Sequence, residues 1–136
     1  MSDEPQQQAG KASTAGLRGL LRSFGFAFSG VGQTVKGERN MRIHLAFAVF
    51  AVVMCIVLRC TPVEWAVILV IIALVFAAEM INTAIESVVD LASPDLHPLA
   101  KCAKDVAAAA VLVLAIAAVV AGLIIYIAAF LRLGLL

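Results

Sequence analysis

A stripe of polar side chains closes the second long apolar stretch of this chain. Its members fall on one face of a helix, at offsets of three, four, seven and eleven residues from the first: Glu79, Asn82, Thr83, Glu86 and Asp90. A carboxylate inside a membrane costs about 2.5–3.5 kcal/mol, so Glu79 needs a protein partner, a metal ion or water. We interpret the stripe as a site that collects a divalent cation and a polar substrate at a membrane edge. The alternative is a stripe that only joins helices or faces the aqueous end of the span.

The composition indicates a small integral membrane protein. The chain has 136 residues, of which 63% are hydrophobic and 14% are charged, and its mean hydropathy is +1.06. A soluble domain of this size would be much more polar. The net charge of +1 gives no information about partners, and we expect no nucleic acid among them. The cysteines, which lack metal-ligand or disulfide-framework spacing, are interpreted as packing residues: Cys55, Cys60 and Cys102.

The N-terminal part divides into a tail and an amphipathic helix. Residues 1–15 are polar and predict a disordered tail, and residues 16–136 predict a single membrane-embedded domain. Over residues 17–36, apolar side chains recur at helical spacing: Leu17, Leu20, Leu21, Phe24, Phe28, Val31 and Val35. The other side is basic, as in helices that lie on an anionic membrane surface. A helix packed against a soluble partner is the alternative.

Three transmembrane helices follow. They are predicted over residues 41–59, 64–90 and 105–131. Ile43–Leu58 and Val106–Leu131 contain no Asp, Glu, Lys or Arg. Pro62 is expected to end the first helix, and the stretch over residues 91–103 is interpreted as a connector. His44 is interpreted as an interfacial side chain and not as a ligand. The predicted fold is therefore all-α, with an amphipathic surface helix and three spans.

The distribution of basic residues predicts the orientation. Six of the ten lysines and arginines lie before the first span or at its start: Lys11, Arg18, Arg22, Lys36, Arg39 and Arg42. The positive-inside rule then puts the N-terminus and the connector in the cytoplasm. The charged groups expected to meet on that side are Glu38, Glu86, Asp90, Lys104 and Asp105.

This convergence is suited to phosphoryl transfer. Mg²⁺ takes one or two carboxylates and completes its shell with water and substrate phosphates, so Glu38 and Glu86 could hold a magnesium nucleotide. Lys104 could bind the phosphates, and Glu79, deeper in the span, could meet an alcohol that arrives from the lipid. The alternative for Glu38 is an ion pair with a neighbouring arginine.

Three strings of residues resemble a known family. EMINTAIESVVD over residues 79–90, HPLAK over residues 97–101 and AKD over residues 103–105 are similar to the small prokaryotic diacylglycerol kinases, which include the undecaprenol kinases. The resemblance extends over about Glu38 to Leu112, and more loosely over the amphipathic helix. It implies a lipid kinase of the bacterial inner membrane that uses Mg²⁺ and ATP, with active sites shared between the subunits of a homotrimer.

The resemblance also implies roles for individual residues. Glu79 would be the catalytic base, and Glu38 and Glu86 would be the metal ligands. Phe26 would lie near the adenine. The remaining residues implied at the nucleotide and its phosphates are Asn82, Asp90, His97, Lys104 and Asp105.

The lipid is inferred from the residues around the connector. Members of the diacylglycerol type carry Gly-Ser-Ala shortly after Lys-Asp, whereas Lys104-Asp105 here precedes a run of valine and alanines. HPLAK over residues 97–101 looks more like the undecaprenol kinases. The favoured function is transfer of the γ-phosphoryl group of Mg–ATP to undecaprenol, and the alternative is a diacylglycerol kinase that makes phosphatidic acid. A second alternative, from a different class, is a non-enzymatic protein whose acidic stripe conducts or exchanges an ion.

Overall fold

The fold consists of four helices. The computed structural model describes the backbone of residues 4–95 and 97–134, with side chains from Gly19 onward. The helices are α1 (Glu4–Gly37), α2 (Arg39–Val57), α3 (Pro62–Ala92) and α4 (Pro98–Arg132). Within the described residues, α2, α3 and α4 are long and apolar enough to cross a membrane. The predicted all-α fold with three spans is confirmed.

The first helix is longer than expected. The backbone of residues 4–15, where a disordered tail is predicted, is helical, while residues 1–3 lie outside the described part. Glutamine, alanine and lysine are good helix formers, and Pro5 falls in the first turn, where a helix needs no N–H donor. From Gly19 on, large apolar side chains such as Leu21 and Phe24 are exposed. This helix forms a unit of its own, separate from residues 38–136, and its placement on a membrane surface stays a prediction.

The turn between α2 and α3 differs from the prediction that Pro62 ends α2. The second helix already ends at Val57, and Arg59 adopts a left-handed backbone with φ of 49°. Thr61 then caps α3: its backbone N–H donates to the Glu64 carboxylate at 2.6 Å, and its hydroxyl accepts from the Glu64 N–H at 3.4 Å. Pro62 therefore begins α3, at a position where its missing N–H costs nothing.

The fourth helix also begins earlier than predicted. It starts at Pro98, inside the stretch interpreted as a connector, because Nδ1 of His97 accepts a hydrogen bond from the Leu99 N–H at 3.2 Å. The link to α3 is thus reduced to residues 93–97, of which Leu96 lies outside the described part. A side-chain acceptor followed by proline is a helix start, not a loop signal.

Packing centres on α3. It lies mainly against α4 and less against α2, while α2 and α4 touch little. Gly122 and Ala129 are buried in α4, and such small residues let membrane helices approach closely. The Tyr126 hydroxyl bridges from α4 to α2 by donating to the Ala51 carbonyl at 3.1 Å. Since α3 runs opposite to its neighbours, the start of α2, the end of α3 and the start of α4 lie at one end.

The opposite end is tied by an ion pair. The Arg132 guanidinium donates to both oxygens of Glu64, at 2.9 and 3.2 Å, and also to the Arg59 carbonyl at 3.3 Å. Because Glu64 belongs to the cap of α3 as well, one carboxylate joins the start of α3 to the end of α4. Paired hydrogen bonds of this kind are among the stronger ionic contacts.

Candidate functional site

Glu79 is a buried carboxylate in the second half of α3. Only 1% of the residue is exposed. Its backbone carbonyl accepts a hydrogen bond from the Thr83 hydroxyl at 3.0 Å, but its Oε2 atom has no hydrogen-bond partner. The imidazole Nε2 of His44, on α2, lies 4.0 Å from that oxygen. A carboxylate oxygen left in this state is costly unless something enters the site to bind it.

A cavity of about 230 Å³ lies beside this carboxylate. All three apolar helices contribute to its wall. The lining residues are Asn40, Ile43 and His44 from α2, Glu79, Asn82 and Glu86 from α3, and Ala108, Val111, Leu112 and Ala115 from α4. Glu79, Asn82 and Glu86 therefore meet at one cavity, as their spacing along the helix predicts. The wall from α4 is apolar, so the polar groups all come from the other two helices.

Asn82 lies between Glu79 and Glu86 in the sequence of α3 and bonds to one of them. Its side-chain N–H donates to Oε1 of Glu86 at 2.9 Å, while its Oδ1 is buried and has no partner. Among the described residues, the buried side-chain atoms without a hydrogen bond are this oxygen and Oε2 of Glu79. Leaving such an atom unsatisfied costs about 1–3 kcal/mol. Two of them at one cavity indicate a site that a polar ligand completes.

An apolar groove adjoins the cavity. It has a volume of about 520 Å³ and shares Ile43, His44 and Ala115 with the cavity wall. From there it follows α2 as far as Met54 and α4 as far as Phe130. A molecule with a polar head and an apolar chain could therefore present its head to Glu79 while its chain stays among apolar side chains.

Asn82 lines the cavity, but four other residues expected at the nucleotide or its phosphates lie outside it: Asp90, His97, Lys104 and Asp105. Lys104 forms an ion pair with Asp90 that joins the start of α4 to the end of α3, and Lys101 pairs with Asp105 one helical turn further on. His97 is exposed and caps α4. None of these five described residues lines the cavity. Exposed ion pairs contribute only about 0–1 kcal/mol, so a phosphate can replace either carboxylate at little cost.

The chemistry of the cavity fits Mg²⁺ in part. Within the described residues, no group of three or more His, Cys, Asp and Glu side chains is arranged to hold a metal. Mg²⁺ requires fewer, since it prefers oxygen ligands and keeps several waters. Glu86 and the free Oδ1 of Asn82 provide such oxygens. Glu38, the other expected ligand, is half-buried just before α2 and does not line the cavity, so its role stays a prediction.

The remaining expected contact, Phe26, lies on α1. The residue is 76% exposed, and α1 forms the separate unit. Its place near an adenine therefore stays a prediction.

Sequence reasoning missed His44 as a residue of this cavity. Its signal was a single basic side chain inside the otherwise uncharged run over residues 43–58. Spacing along α2 could not reveal that Glu79 lies opposite, because that contact joins two helices far apart in the chain. A basic group within a predicted span is itself a sign of function.

Known proteins resemble this chain over most of its length. Residues 25–126 match the family described as prokaryotic diacylglycerol kinase. The chain is 39% identical over 110 residues to an undecaprenol kinase of Bacillus subtilis, which covers 81% of this chain and 89% of that protein. It is 44% identical over 104 residues to a diacylglycerol kinase of Synechocystis, covering 76% of this chain and 59% of the relative. A diacylglycerol kinase of Escherichia coli K12 is 30% identical over 108 residues, covering 79% and 88%. The chain belongs to the prokaryotic diacylglycerol kinase family of lipid kinases.

Proposed function

We propose that this chain transfers the γ-phosphoryl group of ATP to the hydroxyl group of undecaprenol. The observation that carries the proposal is the buried Glu79 carboxylate, whose free Oε2 lies beside His44 in a cavity that adjoins an apolar groove. This is the arrangement that a lipid alcohol requires, because its head must reach a base while its chain remains in an apolar environment. An ion pathway would not need the adjoining groove, and the family consists of kinases.

Glu79 acts as the general base in this proposal. Its carboxylate accepts the proton of the lipid hydroxyl as the hydroxyl oxygen bonds to the γ-phosphorus and the bond from that phosphorus to the ADP oxygen breaks. The products are the lipid phosphate, ADP and one proton. A general base contributes about 10²- to 10⁴-fold to rate, and the apolar α4 wall keeps the carboxylate away from bulk water.

Mg²⁺ would be held by Glu86, with Asn82 and Glu38 as further oxygen ligands. When bound, the ion neutralises charge on the transferring phosphoryl group. The hydrogen bond from Asn82 fixes the orientation of the Glu86 carboxylate. Lys104 would exchange its contact with Asp90 for a contact to the phosphates, because the exposed ion pair that it gives up is weak.

The assembly and orientation belong to the same proposal. The apolar faces of α2, α3 and α4 are broadly exposed in the single chain, which suits a homotrimer in a bilayer with active sites shared between subunits. The cluster of basic residues around the start of α2 favours a cytoplasmic N-terminus and active site in the bacterial inner membrane. Native mass spectrometry of the protein released from nanodiscs tests the trimer, and a monomer with full activity would contradict it.

The substrate is tested by direct competition. The purified protein in nanodiscs receives Mg–ATP with undecaprenol, with a diacylglycerol, or with equal mole fractions of both, and the two phosphorylated lipids are separated and counted. We expect undecaprenol to be the better substrate. The identity to the Synechocystis relative supports diacylglycerol as the second candidate, and a higher kcat/KM for diacylglycerol would establish it instead. Phosphorylation of neither lipid would overturn the proposal.

A further inference from the structure

His44 and Glu79 are neighbours in the cavity wall but form no hydrogen bond. The distance from Nε2 to Oε2 is 4.0 Å, which is too long for a hydrogen bond, since N–H···O bonds have lengths of about 2.7–3.2 Å. The Glu79 side chain is 2% exposed and the His44 side chain 17%. The carboxylate oxygen has no other partner, although the imidazole is close enough to approach it with a small movement.

An oxygen atom placed to one side of the line between Nε2 and Oε2 can form a hydrogen bond with both atoms. An oxygen about 2.8 Å from each of the two atoms would see them at an angle of about 90°, which is about 20° below the tetrahedral angle and within the bending that hydrogen bonds allow. Both residues line the cavity, and His44 also lines the apolar groove. The position between them is therefore reached from the groove by the head of a chain lying within it.

We infer that His44 and Glu79 bind the acceptor hydroxyl together. The hydroxyl donates its hydrogen to Oε2 of Glu79 and accepts a hydrogen bond from Nε2–H of His44. The oxygen has four tetrahedral directions: one holds the lipid carbon, one the hydrogen, and one the lone pair bound by His44. The fourth is the lone pair that attacks phosphorus, so the two side chains fix its direction.

This inference deepens the proposed function and rests on Glu79 being the base. His44 gains and loses no proton in the reaction; it donates one hydrogen bond before and after transfer. Its contribution is orientation of the nucleophile, to which bond formation is sensitive. A histidine that only anchored the helix at the membrane surface would not need to lie opposite an unpartnered carboxylate.

Two substitutions of His44 separate the hydrogen bond from the shape of the ring. His44→Phe keeps a ring but has no donor, whereas the amide of His44→Gln can place an N–H near the position of Nε2. The readouts are kcat and KM for the lipid alcohol, KM for ATP, and the thermal unfolding midpoint in nanodiscs. We expect His44→Phe to lower kcat/KM for the lipid by about 10- to 100-fold, the loss of one strong hydrogen bond, with KM for ATP and the midpoint unchanged. His44→Gln should recover most of the activity.

Glu79→Gln, measured in the same assay, separates the test of the proposed base from the test of His44. If Glu79→Gln keeps normal turnover, the proposed base is wrong and the shared hydroxyl site is wrong with it. If Glu79→Gln is inactive while His44→Phe has normal lipid kinetics, the base stands and the inference about His44 is overturned. A raised KM for ATP or a lowered unfolding midpoint in His44→Phe, or a loss that His44→Gln does not restore, would also overturn it, because each of these results indicates a structural role.

Discussion

Replacing Glu79 by glutamine tests the base directly. The side chain keeps its size, and the resting protein loses no hydrogen bond at Oε2, because that atom has none. The substitution also removes a buried charge, so we expect the free energy of unfolding to stay the same or to rise slightly. The amide cannot accept the hydroxyl proton, so kcat should fall by about 10²- to 10⁴-fold. At about 1.36 kcal/mol for each factor of ten, this corresponds to about 2.7–5.4 kcal/mol of transition-state stabilisation.

The assay pairs turnover with nucleotide affinity. Initial rates are measured with undecaprenol and with diacylglycerol, and binding of Mg–ATP is measured on the same folded sample. Glu64→Gln is the matched control, since it makes the same change on the same helix at the end that Arg132 ties. We expect it to lower stability and leave turnover intact. The reasoning is refuted if Glu79→Gln turns over normally, or if affinity and turnover fall together with the unfolding midpoint.

Three further predictions concern the metal, the topology and the far end of the bundle. Glu86→Gln should nearly abolish phosphorylation at ordinary Mg²⁺ concentrations while leaving membrane insertion intact, because an amide keeps the shape of the side chain but loses its charge. Near-normal rates across a Mg²⁺ titration would refute the metal site. In a cysteine-free background, a single cysteine that replaces Leu96 should react with a membrane-impermeant label added on the cytoplasmic side. A single cysteine that replaces Thr61 should react only with label added outside. The reverse pattern would place the site on the side of the membrane that has no ATP. Arg132→Gln should lower the free energy of unfolding by about 0.5–1.5 kcal/mol without changing KM for either substrate. Calorimetry in nanodiscs measures the free energy of unfolding. A changed KM would show that the ion pair with Glu64 influences the site.

The sequence was sufficient for the parts of this fold that depend on local pattern. Long runs without charge fix the number of spans, and helical periodicity places Glu79, Asn82 and Glu86 on one face, where the structure shows them lining one cavity. Local pattern also contained the helix starts, since both Thr61 and His97 precede a proline. The start of α3 was predicted to within two residues, whereas the start of α4 was missed because Pro98 was interpreted only as part of a connector.

Contacts between helices could not be obtained in this way. The approach of His44 to Glu79 and the pairing of Lys104 with Asp90 join residues on different helices, and their rotation about each helix axis depends on packing of side chains such as Gly122 and Ala129. One sequence contains no record of that packing. The same limit applies to Glu38, whose charge and position near the first span predict a ligand without showing what it faces.

The shared wall of cavity and groove has a kinetic consequence. Ile43, His44 and Ala115 border both spaces, so under the proposed function one substrate reaches the reaction centre by lateral diffusion in the bilayer and the other by diffusion through water. The effective concentration of the lipid alcohol is then its mole fraction in the membrane. Diluting it with inert phospholipid at constant total amount should slow the reaction, whereas enlarging the aqueous volume should affect only the nucleotide. Rates from vesicles of different lipid content are comparable only when the concentration of the lipid alcohol is given as its mole fraction in the membrane.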